Sequence, residues 1–164
     1  MRMLRHLFAP STRRVFPEAS LRRIGEAIAA GESRHRGQLC FAVESRLTVG
    51  ELLDGRQPRA AALAAFAQLG VWDTAGNNGV LLYLLLADRR IEIVADRGYA
   101  VRVGDERWQA VCDSVQQALA AGEAEAAVLG GIAALSEIIA EQFPRESGDA
   151  VGEGNELSDR PVRL

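Results

Sequence analysis

The stretch GNNGVLLYLLLADRRIEIVADRG, residues 76–98, decides the fold. Residues 80–86 form an apolar run of strand length, and residues 90–95 follow after little more than Asp88-Arg89, about the length of a tight hairpin. Two such runs joined so closely are expected to pair antiparallel. A hairpin brings its open ends together, so Asn77, Asn78 and Gly79, which begin one strand, belong beside Asp96, Arg97 and Gly98, which end the other. Polar groups thereby collect at one end of an otherwise apolar sheet.

Upstream of this hairpin lies a second signal. Residues 38–44 are apolar on both alternating faces, Leu39, Phe41 and Val43 on one and Cys40 and Ala42 on the other, which describes a strand covered on both sides. Between it and the hairpin, Pro58 opens a helix whose expected buried stripe is Leu63, Phe66 and Ala67 and whose stop is Gly70. Strand, helix, strand is a crossover unit and predicts parallel pairing with a right-handed connection. An earlier helix begins at Pro17, with Leu21, Ile24, Ala27 and Ile28 at helical spacing until Gly31. Two more follow the hairpin, one carrying Trp108, Val111, Cys112, Val115 and Leu119, the other Val128, Ile132, Leu135, Ile139 and Phe143. Gly130 and Gly131 inside the last helix predict close packing there, since each costs about 1 kcal/mol relative to alanine.

These elements predict an α/β protein: a three-layer α/β/α sandwich with a mixed sheet, in the order helix-strand-helix-strand-strand-helix-helix. The expected organisation is a basic leader with a short helix at 1–16, an α/β domain at 17–143 and an acidic flexible tail at 144–164. The tail composition cannot bury enough apolar area to offset chain entropy, although the terminal VRL is a candidate for docking.

The chain has 164 residues, 48% of them hydrophobic, and a formal charge of −3, which suits one core. No apolar run approaches the ~20 residues of a membrane span. Ser11-Thr12-Arg13-Arg14 resembles the start of a twin-arginine signal, but Arg22, Arg23, Glu26 and Glu32 interrupt the segment that would have to be apolar, and no export signal is expected. The 19 basic residues are all arginine and concentrate early, whereas acids prevail after Glu123. With a pI near 5.5 and 5% aromatic residues, the composition argues against a nucleic-acid partner. The expected location is cytoplasmic and peripheral to the membrane, with a membrane-associated protein as partner. Cys40, Cys112, His6 and His35 lack zinc spacing and are read as structural thiols and as surface or capping histidines.

The chemistry is expected at the open end of the hairpin. The loop carrying Asp73 and Thr74 arrives there, and so does the helix start near Gly104 and Asp105, whose free amides favour an anion. Carboxylates and amide oxygens suit a hard cation such as Ca²⁺ or Mg²⁺, and an arginine holds a phosphate in a fork. The opposing reading is that Asn-Asn-Gly shapes a turn and Asp73 caps it. The other sheet end, with Glu44, Ser45, Asp88, Arg89 and Arg90, reads as a solvated rim.

The stretch LGVWDTAGNNGVLLYLLLADRRIEIVADRGY, with AAGEAEAAVLGGIAAL after it, resembles the TPM domain, a family named for a thylakoid lumen protein, a photosystem II repair protein and a nematode receptor modulator. The resemblance runs over residues 16–143. The opening HLF and closing GNELSDRPVRL look like a bacterial branch without the usual membrane anchor. It implies an α/β/α sandwich, in some relatives acid phosphatase activity, and in some a bound Ca²⁺ near a D-N-G motif. That motif reads Asn77-Asn78-Gly79 here, the family's Gly-x-Gly reads Asp96-Arg97-Gly98, a frequent glutamate reads Ala100, and Asp105 matches an aspartate. Two functions follow as expectations. One is a weak metal-dependent phosphatase, with Asp96 and Arg97 catalytic and with Asp73, Asn77, Asn78, Asp96 and Asp105 around the metal. The other is a non-catalytic interaction module for a membrane-associated or envelope quality-control complex.

Overall fold

The computed structural model describes residues 1–146 and 155–164. Two short helices, α1 (Arg2–Leu7) and α2 (Thr12–Val15), precede α3 (Glu18–Glu32). Then come β1 (Gln38–Glu44), α4 (Val49–Leu53), α5 (Pro58–Gln68), β2 (Gly79–Leu85), β3 (Arg90–Ala95), a 3₁₀ turn (Arg97–Tyr99), α6 (Asp105–Ala120), α7 (Ala124–Gln142) and β4 (Val162–Arg163).

The sheet order is β3-β2-β1-β4. β1 and β2 pair in parallel from Gln38 opposite Gly79 to Glu44 opposite Leu85, and β2 pairs antiparallel with β3 from Val80 opposite Ala95 to Leu85 opposite Arg90. The mixed sheet and the crossover through α5 are therefore as the sequence predicts. β1 and β2 are buried along almost their whole length, as apolar strands between two helical layers must be.

Leu39, Phe41, Val43, Leu82 and Leu84 face α3, α6 and α7 in the larger core. Cys40, Ala42, Leu81, Tyr83 and Leu85 face α5 in the smaller one. The stripe expected on α5 is corrected in part: Phe66 packs against the core, but Leu63 and Ala67 are exposed, and Ala61, Ala62 and Ala65 make the buried contact, so this alanine-rich helix lies close to the sheet through its small residues. Of the two glycines in α7, Gly131 explains close packing, because a Cβ there would lie 2.8 Å from Val115 Cγ2; Gly130 faces open space.

A short helix not expected from the pattern, α4, is held by a capping box in which Thr48 accepts from the Glu51 amide and the Glu51 carboxylate accepts from the Thr48 amide. The chain end also differs from a tail that is flexible throughout. Residues 147–154 lie outside the described residues, but residues 155–164 are docked. Val162 and Arg163 pair in parallel with β1 as the fourth strand, Gln38 Oε1 accepts the amides of Glu156 and Leu157, and Arg163 binds the Glu18 carboxylate and, at 2.8 Å, the Phe16 carbonyl. The acidic composition predicts poor burial on average, and it is the apolar Leu157, Pro161 and Val162 that anchor the segment.

Both histidines are interior. His6 is 2% exposed and His35 0%. The His35 Nδ1–H donates to the Gly37 carbonyl at 3.0 Å, and burial drives its pKa down to about 4, which keeps the ring neutral. His6 belongs to a clamp at the hairpin turn. Leu47 N–H donates to its Nδ1 at 3.0 Å, which places the proton on Nε2, and Nε2 donates to Asp88 Oδ1 at 3.1 Å. Arg2 adds a fork to the same carboxylate, with its closest contact at 2.8 Å. Burial works to raise the Asp88 pKa, but the hydrogen bonds from Arg2 and His6 prevail and hold it below the usual range. The rim read as solvated therefore has a paired, interior carboxylate at its centre.

Candidate functional site

The open end of the β2–β3 hairpin is built as the strand order requires. Asp96 N–H donates to the Gly79 carbonyl at 2.9 Å, one step beyond the last ladder pair, and Gly98 N–H donates to the Asn77 carbonyl at 3.0 Å. Two glycines permit this closeness: a Cβ on Gly98 would lie 2.3 Å from the Asn77 carbonyl oxygen, and one on Gly79 would lie 2.0 Å from that of Val71. Asn77 sits at φ 49°, in the left-handed region that asparagine tolerates better than most residues.

The two asparagines divide their work. The Asn77 Oδ1 accepts Arg97 Nε at 2.7 Å, which fixes the guanidinium at the rim of the site. The Asn78 side chain is buried and donates to the Arg36 carbonyl at 2.8 Å, while its backbone carbonyl accepts the Tyr99 hydroxyl at 2.9 Å. Asn78 thus joins β2 to the start of β1 and to the loop after β3.

Asp96 caps the 3₁₀ turn through Oδ1, which accepts Arg97 N–H at 2.7 Å. Its Oδ2 is buried and has no hydrogen-bond partner among the described residues. An unpaired carboxylate oxygen away from water is costly unless something binds it.

A cavity of about 570 Å³ adjoins this group. β3 and the loop after it supply Glu92, Ile93, Ala95, Asp96, Arg97 and Tyr99, α5 supplies Arg59, and α6 supplies Asp105, Trp108, Gln109 and Cys112. Tyr99 stacks edge-on against Trp108 (5.6 Å) and Phe143 (5.0 Å), so the floor is a rigid aromatic cluster. Arg59 hydrogen-bonds the Ile93 carbonyl and lies 3.8 Å from Glu92. Asp105 opens the 16-residue α6, whose N-cap Gly104 provides no side-chain cap, so first-turn amides remain for a ligand at this end.

Of the expected site residues, Asp96, Arg97 and Asp105 line the cavity and Asn77 holds Arg97 from behind. Asp73 and Asn78 do not line it; Asp73 is exposed on the preceding loop. Among the described residues no three His, Cys, Asp or Glu side chains form a metal-holding group. Arg59 and Gln109 are additions. Gln109 could have been found, because Asp105, Trp108, Gln109 and Cys112 share a face at i, i+3, i+4 and i+7. Nothing local marks Arg59, which reaches the site through the tertiary fold. Burial pushes the Cys112 thiol up to about 11, so it is a neutral wall group.

The profile of the TPM domain matches residues 12–138. The chain is similar to the solution structure of BA42 from the psychrophilic bacterium Bizionia argentinensis, at 23% identity over 89% of this chain and 93% of that one, with a TM-score of 0.72. It is also similar to the N-terminal domain of a P. gingivalis protein, at 17% identity over 83% and 85% of the two chains, with a TM-score of 0.64. These likenesses concern the fold. No curated protein matches the chain.

Proposed function

We propose, from the premise that this chain belongs to the TPM domain family, that the cavity between β3, α5 and α6 binds a hydrated divalent cation together with a phosphate monoester and hydrolyses that ester slowly. The observation that carries this reading is the buried, unpartnered Asp96 Oδ2 in a cavity that also holds Arg97 and Asp105.

The donor set suits a cation that keeps much of its water. Mg²⁺ is commonly held by one or two carboxylates plus substrate phosphate, whereas a dehydrated Ca²⁺ cage takes six to eight oxygens. Asp96 Oδ2 and the Asp105 carboxylate serve as the anionic donors, Glu92 lies 3.8 Å from Arg59, and Asp73 and Asn78 stand outside the lining. A bound cation would polarise the phosphoryl group and acidify a water molecule.

The chain's own residues do the rest. Arg97, with Nε committed to Asn77, turns its terminal amino groups to the phosphoryl oxygens and offsets charge that grows in the transition state. The α6 amides add partial positive charge on the other side. Trp108 and Tyr99 give an apolar wall for the ester's leaving group. Among the described residues no Ser, Thr or His lines the cavity and the Cys112 thiol is protonated, so a water molecule is taken as the nucleophile, with Asp96 and Asp105 on the cation.

The test is hydrolysis of p-nitrophenyl phosphate with Mg²⁺ by the wild type, Asp96→Asn and Arg97→Ala. Asn at 96 keeps the oxygen that caps the turn and removes only the charge. A fall of about 10–100-fold in both variants is expected; equal turnover in all three proteins sinks the proposal. A second reading, a non-catalytic module, draws on the lack of an activated Ser, Cys or His among the described residues of the cavity, and predicts cation and phosphate binding with no turnover.

A further inference from the structure

α1 is an amphipathic helix docked the wrong way out. Arg2 and His6, one helical step of four apart, turn inward to Asp88, while Met1, Met3, Leu4, Leu7 and Phe8 face solvent. Phe8 is 82% exposed and Leu4 54%. α4 lies beside it, since Met3 and Leu7 share a hollow with Leu47, Val49 and Leu52. α4 adds Val49 and a 73% exposed Leu53 to the same surface. Most of the large exposed apolar side chains among the described residues are on these two short helices or on Met1 and Phe8, which flank α1. Exposed apolar side chains gathered on neighbouring helices mark an interaction surface.

The rim of the patch is basic. Arg46 borders the α1–α4 hollow, and Arg5 and Arg89 border the adjoining hollow under Phe8. All three are exposed, and none forms an ion pair among the described residues. The nearby acids are mostly occupied: Asp88 by Arg2 and His6, Glu51 by Thr48 and Arg56, Glu44 by Tyr83. Asp54, at the end of α4, is the exception. Arg89 also holds a left-handed backbone, φ 50°, at a turn position where asparagine or glycine fits with less strain.

We propose that this face docks on an anionic phospholipid surface, with Leu4, Leu7, Phe8 and Leu53 entering the headgroup–acyl boundary and Arg5, Arg46 and Arg89 binding lipid phosphates. Charge complementarity selects this occupant. Guanidinium groups beside protruding apolar side chains match the two signals that peripheral binding needs, partial insertion and attraction to anionic headgroups. Leu4 is 54%, Phe8 82% and Leu53 73% exposed, and side chains that project this far suit a soft surface that they can enter. The patch lies at the carboxyl ends of β1 and β2, the opposite end of the sheet from the Asp96 cavity, so docking leaves that cavity facing the aqueous side.

The test is co-sedimentation of the full chain with large vesicles of phosphatidylcholine alone or with about a third phosphatidylglycerol, at low and physiological salt. Binding to the anionic vesicles alone is expected, weakening with salt. Two surface variants, Leu4→Glu with Phe8→Glu and Arg5→Glu with Arg46→Glu, should each reduce binding at least tenfold with the thermal midpoint unchanged. Absence of binding by the wild type, or full binding by both variants, overturns the proposal. So does self-association of the wild type that the Leu4/Phe8 variant abolishes, which would assign the face to a second copy. Phosphate and Mg²⁺ binding at the cavity is a separate readout and stays unchanged in these variants.

Discussion

Arg97 reaches across the hairpin end to Asn77, with Nε 2.7 Å from the amide oxygen, while the Asn77 carbonyl takes the Gly98 amide at 3.0 Å. One residue in the turn just before β2 therefore sets both the path of the loop after β3 and the direction of its arginine. Replacing Asn77 by glycine keeps the left-handed backbone and removes the side-chain hold. The expected result is a folded protein whose phosphate affinity falls severalfold, measured by titration calorimetry; Asn77→Ala should in addition lose about 1–2 kcal/mol of stability from the backbone alone.

Glycine positions divide sharply by what surrounds them. Gly79→Ala forces a Cβ against the Val71 carbonyl, 2.0 Å away in the unrelaxed backbone, and should cost about 1–3 kcal/mol in urea denaturation. Gly50→Ala, inside α4 with nothing within 4 Å, should be neutral or stabilising by about 0.5–1 kcal/mol.

Two interior groups tilt stability in opposite directions with pH. Burial raises the Glu32 carboxyl to about 8 from 4.5, so its stabilising protonated state is full below about 4.5 and is lost as pH climbs toward 8. His35 is depressed to about 4 from 6.5, so its contribution is full above 6.5 and is lost as pH falls toward 4. Glu32→Gln keeps an oxygen for the Leu39 amide and should flatten the alkaline limb of the melting-temperature profile. A variant that still loses stability equally between pH 5 and 8 would assign that limb elsewhere.

The Cys112 thiol, held up to about 11, should alkylate slowly with iodoacetamide at pH 8 and speed up only well above that pH. Rapid modification of the native chain at neutral pH would show an activated thiolate and reopen covalent chemistry at the cavity.

Removing residues 155–164 should lower stability by about 2–4 kcal/mol, given about 1.5–3 kcal/mol for each well-buried apolar side chain, and should leave the β1 edge open to pairing between chains. Denaturation and light scattering of the shortened protein check both parts. Unchanged stability would mean that the fourth strand is ornamental.

The sequence carried the three long strands and four long helices because their signals are local: apolar runs bounded by turn residues, helical stripes, and a hairpin connection, residues 86–89, too short to allow any other pairing. The same locality brought Asn77 and Arg97 together, since a hairpin dictates which ends meet. The small α4 has no apolar stripe to mark it, and its one local sign is the capping pair Thr48 and Glu51. What the chain could not disclose are contacts between residues far apart along it. Whether the Asp96 carboxylate is fully satisfied by its turn, whether Arg59 reaches the edge of β3, whether His6 meets Asp88 and whether an acidic tail ends as a strand all depend on distances that exist only after the layers pack. Local pattern therefore settled the architecture, and tertiary packing settled which polar groups stay open for chemistry, because burial and pairing are properties of a residue's neighbours in space.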